Sequence, residues 1–143
     1  MSSPSADHGT LVPHPLPEKP AARLLLFAVR RMAAGGLNDA QAAHAMMTGF
    51  GLGFRRPLVL LRALMLEISR AAERRLVLAP CCCPRTTGDE AALLEAVRLS
   101  AVESSQVAHA AMAKLLAIRC ATGAYSAALA LAAACEDLGR PVA

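Results

Sequence analysis

Alanine and leucine recur at helical spacing along almost the whole chain, and few β-branched residues interrupt them. Both are strong helix formers, and apolar positions repeating at three and four residues mark the buried stripe of an amphipathic helix. Phe27, Phe50, Phe54 and Tyr125 are the aromatic residues. A core so poor in rings draws its burial from many small contacts, with Met32, Met46, Met47, Met65 and Met112 filling irregular gaps. A sheet protein would show the β-branched and aromatic enrichment that is missing here. The expected fold class is therefore all-α, a compact bundle of five or six helices.

Breaks in the pattern place the elements. Residues 1–19 carry Pro4, Pro13, Pro15 and Pro17 among Ser, His and Gly, a composition that reads as a flexible Pro-rich tail. Residues 20–143 then form a single helical domain. Pro20 suits the first position of helix 1, which runs through Ala21, Leu25, Ala28 and Met32 to the Gly35-Gly36 pair, with Arg23, Arg30 and Arg31 off its apolar stripe. Helix 2 is expected to be capped by Asn38 with Gln41 reaching back, and to end in the alternating glycines at 49–53. Phe50 and Phe54 flank that turn and are expected to plug it into the core. Helix 3 is expected to run from Pro57 almost to Pro80, buried over Leu58–Leu66 and charged beyond. Thr87-Gly88-Asp89-Glu90 reads as a capping box opening helix 4, and Ser100–Glu103 suggests a break before a fifth helix through Val107, Met112 and Leu116. The last helix should span Tyr125–Leu138, closed by Gly139 and Pro141.

Several function classes fall away on composition. With 143 residues, 55% hydrophobic and 18% charged, the chain is long enough for one packed core and too apolar for wholesale disorder. The longest apolar runs, around Pro57–Leu61 and Gly123–Cys135, are too short or interrupted to span a bilayer, and nothing near the start reads as a signal peptide. The expected location is cytoplasmic. The net charge of +4 and the arginine-rich basic set, all of its 15 members except Lys19 and Lys114, are compatible with acidic partners without demanding them.

Cys81-Cys82-Cys83, between Pro80 and Pro84, is the most distinctive motif. Thiolates are soft ligands for zinc or copper, and Arg85 with the cap of helix 4 could favour a thiolate. The spacing is unlike the C-x₂₋₄-C knuckle of a zinc site, so inward-packed cysteines and redox chemistry stand beside the metal reading. Cys120 and Cys135 read as core residues that could meet the loop in space. His8 and His14 fall in the tail. His44 and His109 lack the Glu-x-x-His spacing of a bundle metal site and read as satisfied or surface residues. Arg55 and Arg56 stand at the start of helix 3, where a helix-turn-helix would place its recognition helix, but Leu58–Leu66 is too apolar to face DNA. With Arg85 they are retained as interaction residues. The Gly49–Gly53 run has no strand before it and is a connector, not a phosphate cradle.

The stretches Ala22–Met32, Gly51–Leu58 and Ala79–Cys83 together resemble an uncharacterised bacterial family, a domain of unknown function. That resemblance carries no activity, cofactor or site residue. The sequence nominates no catalytic residue and leans away from an enzyme. Its leading functional expectation is an interaction or regulatory module that self-associates as a homo-oligomer, because a short chain this apolar has too little interior to hide all its apolar surface. The alternatives are a thiol-dependent metal or redox site at Cys81–Cys83, and nucleic-acid binding through the arginines.

Overall fold

A computed structural model describes residues 12–143, and the part of the expected tail that falls on 1–11 lies outside the described residues. Six α-helices carry the chain: α1 (Pro20–Gly35), α2 (Ala40–Phe50), α3 (Arg55–Ala71), α4 (Gly88–Val102), α5 (Ser105–Leu116) and α6 (Thr122–Asp137). The strand pair is minimal. β1 (His14–Pro15) lies antiparallel to β2 (Arg85–Thr86), with His14 opposite Thr86, so residues of the segment read as a tail lie against the domain. No described helix is long and apolar enough to cross a membrane.

α1 packs on α2, α4 on α5, and α6 lies against α3, α4 and α5. The α3–α6 pair is antiparallel, since Arg56 at the start of α3 pairs with Asp137 at the end of α6 and Glu67 lies against Gly123 at the other end. Buried alanines explain how α6 can take several neighbours: Ala124, Ala128, Ala132 and Ala134 give it a slim inner face on which only Leu131 and Cys135 protrude. One apolar cluster joins all six helices, from Leu25 and Met46 through Leu61 and Leu93 to Met112 and Leu131.

Local chemistry accounts for the ends. Pro20 takes the first position of α1 as expected. Gly36 follows at φ +95°, a left-handed conformation that glycine adopts without strain. The cap of α2 is Asp39, not Asn38: its Oδ2 accepts the N–H of Ala42 at 3.0 Å. The Gly35-Gly36 turn sets this register, because the Asp39 N–H returns to the Gly36 carbonyl and the same carboxylate pairs with Arg31. Phe50 is buried and Phe54 half-buried, as the glycine turn between them requires. The Thr87 box is fully formed, with Glu90 N–H on Thr87 Oγ1 at 3.0 Å and Thr87 N–H on Glu90 Oε1 at 2.9 Å. The expected break before α5 is present, but Ser104 caps the new helix while the Ser100 hydroxyl bonds the Ala96 carbonyl.

Helix 3 departs most from expectation, starting at Arg55 and stopping at Ala71 rather than continuing toward Pro80. Beyond it the chain crosses the ends of α4 and α5 in extended form. Glu73 N–H bonds the Leu116 carbonyl, Arg74 bonds the Leu115 carbonyl and Asp89, and Val77 N–H bonds Asp89. These partners satisfy backbone and charge at sites where a longer helix would leave the tips of α4 and α5 uncovered.

Arg30, expected off the apolar stripe, is 3% exposed and pairs with Glu90, which is 1% exposed. Its Nε and Nη2 donate to Glu90 Oε2 and Oε1 at 2.7 and 2.9 Å. Burial pushes the Glu90 carboxyl up, but the Arg30 guanidinium and the N–H groups of Thr87 and Ala79 outweigh it and hold the carboxyl below its ordinary value. A carboxyl lowered on folding contributes stability that is present above its unfolded pKa of about 4.3 and is lost as the pH falls through the folded value. Glu90→Gln or Arg30→Met, each of which strands the partner, should therefore cost about 3–5 kcal/mol in urea unfolding at neutral pH. The Glu90→Gln difference from wild type should shrink on acidification. A loss below about 1 kcal/mol at neutral pH would contradict the buried pairing.

Candidate functional site

Pro80-Cys81-Cys82-Cys83 is a β-turn closed by the Cys83 N–H on the Pro80 carbonyl at 3.0 Å. Cys81 and Cys82 are its two central residues, and their sulfurs are 3.5 Å apart. Proline on each side fixes φ, which limits the paths by which the chain can enter and leave the turn. Arg30 holds its exit, with Nη1 on the Cys83 carbonyl at 3.0 Å and Nη2 on the Arg85 carbonyl at 2.7 Å. Glu90 holds its entry by accepting the Ala79 N–H at 3.1 Å. One buried ion pair thus clamps both limbs of the thiol turn onto α1 and α4.

Cys82 is exposed, whereas Cys81 and Cys83 are half-buried. Beside them opens a cavity of about 360 Å³ whose other walls include Leu16, Arg23, Leu26 and Phe27. The Arg31 guanidinium stands at Cys81, its cationic form favoured first by Asp39 and then by the thiol. The hydrogen bond with Cys81 pushes the Cys82 thiol above its ordinary value. Zinc in a structural site takes four donors. Among the described residues no three His, Cys, Asp or Glu side chains are grouped to hold a metal ion.

The remaining cysteines divide sharply. Cys135 lies in the core on α6, and burial pushes its thiol up to about 11. Cys120, expected in the core, is exposed in the α5–α6 connection, where the Thr122 hydroxyl and N–H lower its thiol.

The arginines singled out in the sequence are dispersed. Arg55 is exposed at the start of α3, Arg56 pairs with Asp137 at 3.1 Å, and Arg85 fastens β1 by donating to the Val12 and Pro13 carbonyls. His109 accepts the Ala121 N–H at 2.9 Å and meets the Tyr125 ring edge-on, while His44 is exposed. A second cavity, about 430 Å³, lies under the extended segment between α1 and α3. Val29, Met32, Met65, Ile68, Leu76 and Leu78 line it, and the guanidinium of Arg74 at its edge is already taken by Leu115 and Asp89. It therefore lacks the convergent free polar groups of a reaction site. The residues that matter most around the thiols, Arg30, Arg31 and Glu90, were not among the expected site residues.

Exposure and thiol acidity rank the cysteines for alkylation, since the thiolate is the nucleophile. Under native conditions Cys120, exposed and with its thiol lowered, should take up maleimide first, Cys82, exposed but with its thiol raised, should follow, and Cys135 should react only on unfolding. Peptide mapping by mass spectrometry reads the order, and native labelling of Cys135 would contradict the packing of α6.

No curated protein and no solved structure matches the chain. A family model matches residues 3–140, nearly the full length, and covers all six helices and the thiol turn. The chain belongs to the family of unknown function DUF6628.

Proposed function

We propose that this protein is an interaction module that self-associates through the outer face of the α3–α6 pair. The observation that carries this reading is a set of apolar side chains in water on two adjoining helices: Val59 is 59% exposed, Leu66 42% and Leu129 42%. Ser126 and Ala133, also exposed, complete the outer stripe of α6, and half-buried Ala63 lies between Val59 and Leu66 on α3. Scattered apolar residues are ordinary on a surface, but a continuous apolar face marks an interaction site.

The face is also self-complementary. The pairings at its two ends, Arg56 with Asp137 and Glu67 against Gly123, set the register of the antiparallel pair. In that register Val59 stands opposite Ala133, Ala63 opposite Leu129, and Leu66 opposite Ser126, a large residue facing a small one at each step. A two-fold axis along the helices lays α3 of one copy on α6 of the other and seats each large side chain over a small one. The same operation brings Arg55 toward Glu136 of the partner subunit. Such an isologous contact closes on itself and stops at a dimer.

Sedimentation of the full chain at micromolar concentration is expected to give twice the 14.9 kDa chain mass. Val59→Glu with Leu129→Glu, both at exposed positions, is expected to return the monomer mass with an unchanged helical circular dichroism spectrum. A wild-type monomer at that concentration, or a dimer indifferent to the double variant, would overturn the reading.

A further inference from the structure

We propose that Cys81 and Cys82 form a reversible oxidation site that reduces a hydroperoxide and closes to a disulfide between adjacent residues. The two sulfurs already meet at 3.5 Å across the turn. The Arg31 guanidinium, fixed to Asp39 by two hydrogen bonds of 3.2 and 2.9 Å, stands beside Cys81, the attacking residue. Cys82 is the exposed member and resolves the intermediate. The adjoining cavity of about 360 Å³ has Leu16, Leu26 and Phe27 among its walls, an apolar surface suited to the alkyl part of an organic hydroperoxide.

The Cys81 thiolate attacks the outer oxygen of the hydroperoxide, the O–O bond breaks, and the alcohol leaves after taking up a proton. Cys81 is then a sulfenic acid. The Cys82 sulfur attacks the Cys81 sulfur, the S–O bond breaks, and water leaves with the thiol proton. In sum two thiols are oxidised to one disulfide while the hydroperoxide is reduced to alcohol and water.

Reversibility follows from the backbone. Adjacent Cα atoms across a trans peptide are about 3.8 Å apart, below the usual disulfide range of about 4.4–6.8 Å, so the ring is strained. The anchored carbonyls of Cys83 and Arg85 prevent the chain from sliding to relieve that strain. Strained disulfides are the readily reduced ones. Neither Cys120, bonded to Thr122, nor core Cys135 is needed.

The test treats the reduced full chain with one equivalent of cumene hydroperoxide, alkylates it in denaturant, and reads intact mass and peptide map. The expected result is the loss of two hydrogens, protection of Cys81 and Cys82 with the other three thiols alkylated, and full reversal by dithiothreitol. Cys82→Ser should instead leave a sulfenic acid on Cys81 that dimedone traps, and Cys120→Ser should behave as wild type. Five alkylated cysteines after treatment, a linkage through Cys83 or Cys120, or a covalent dimer would overturn the proposal. Because Cys81 and Cys82 lie apart from the α3–α6 face, this result stands or falls independently of the oligomeric state.

Discussion

The ion pair between Arg30 and Glu90 organises the half of the molecule that helix packing alone would leave loose. Its carboxylate is saturated: Oε1 accepts from Arg30 Nη2 and Thr87 N–H, and Oε2 accepts from Arg30 Nε and Ala79 N–H. The guanidinium in turn spends its other donors on the carbonyls of Cys83 and Arg85. Among the described residues no buried side-chain nitrogen or oxygen is left without a partner. Burying two charges is costly, and a pair of this kind often adds little net stability compared with an apolar replacement. What it supplies here is position. An irregular segment with little regular structure of its own is fixed to α1 and α4 at both ends of the thiol turn.

The rest of the fold rests on size rather than charge. Alanine on the inner face of α6 lets α3, α4 and α5 approach it, and the larger Leu61, Leu64, Met112 and Leu116 fill the space between. Dense packing of this sort leaves little room for rearrangement. Among the apolar residues left in water, Val59, Leu66 and Leu129 are on the outer faces of α3 and α6, where large and small side chains alternate. The molecule thus has an ion-paired end that holds the thiols and a helical face whose apolar side chains are uncovered among the described residues.

Much of the fold was legible because it depends on short-range chemistry. The helical class, the start of α1 at Pro20 and the Thr87–Glu90 box all follow from residues within a turn of one another. Four features escaped for physical reasons. Arg30 reads as off the apolar stripe because its partner lies 60 residues away, although Ala22 and Leu26, two turns and one turn before it, make a second buried stripe on α1. The end of α3 was overrun because Ala, Leu, Glu and Arg favour a helix. The contrary signal is the alternation Leu76 in, Val77 out, Leu78 in, the period of extended chain. At the thiol site the three cysteines and their prolines were evident, but which sulfurs meet depends on how Arg30 and Glu90 hold the turn, and no local pattern encodes that. Arg31 and Asp39 were likewise invisible as a pair until the Gly35-Gly36 turn set the α2 cap one residue later than Asn38.

Native-state hydrogen exchange at the amides of Ala79 and Thr87, both bonded to Glu90, tests the central claim most directly. If the ion pair fixes the segment, these two amides exchange only through global unfolding, with protection equal to that of the buried Leu131 amide in α6. Exchange of Ala79 and Thr87 by local opening, well ahead of Leu131, would contradict the account.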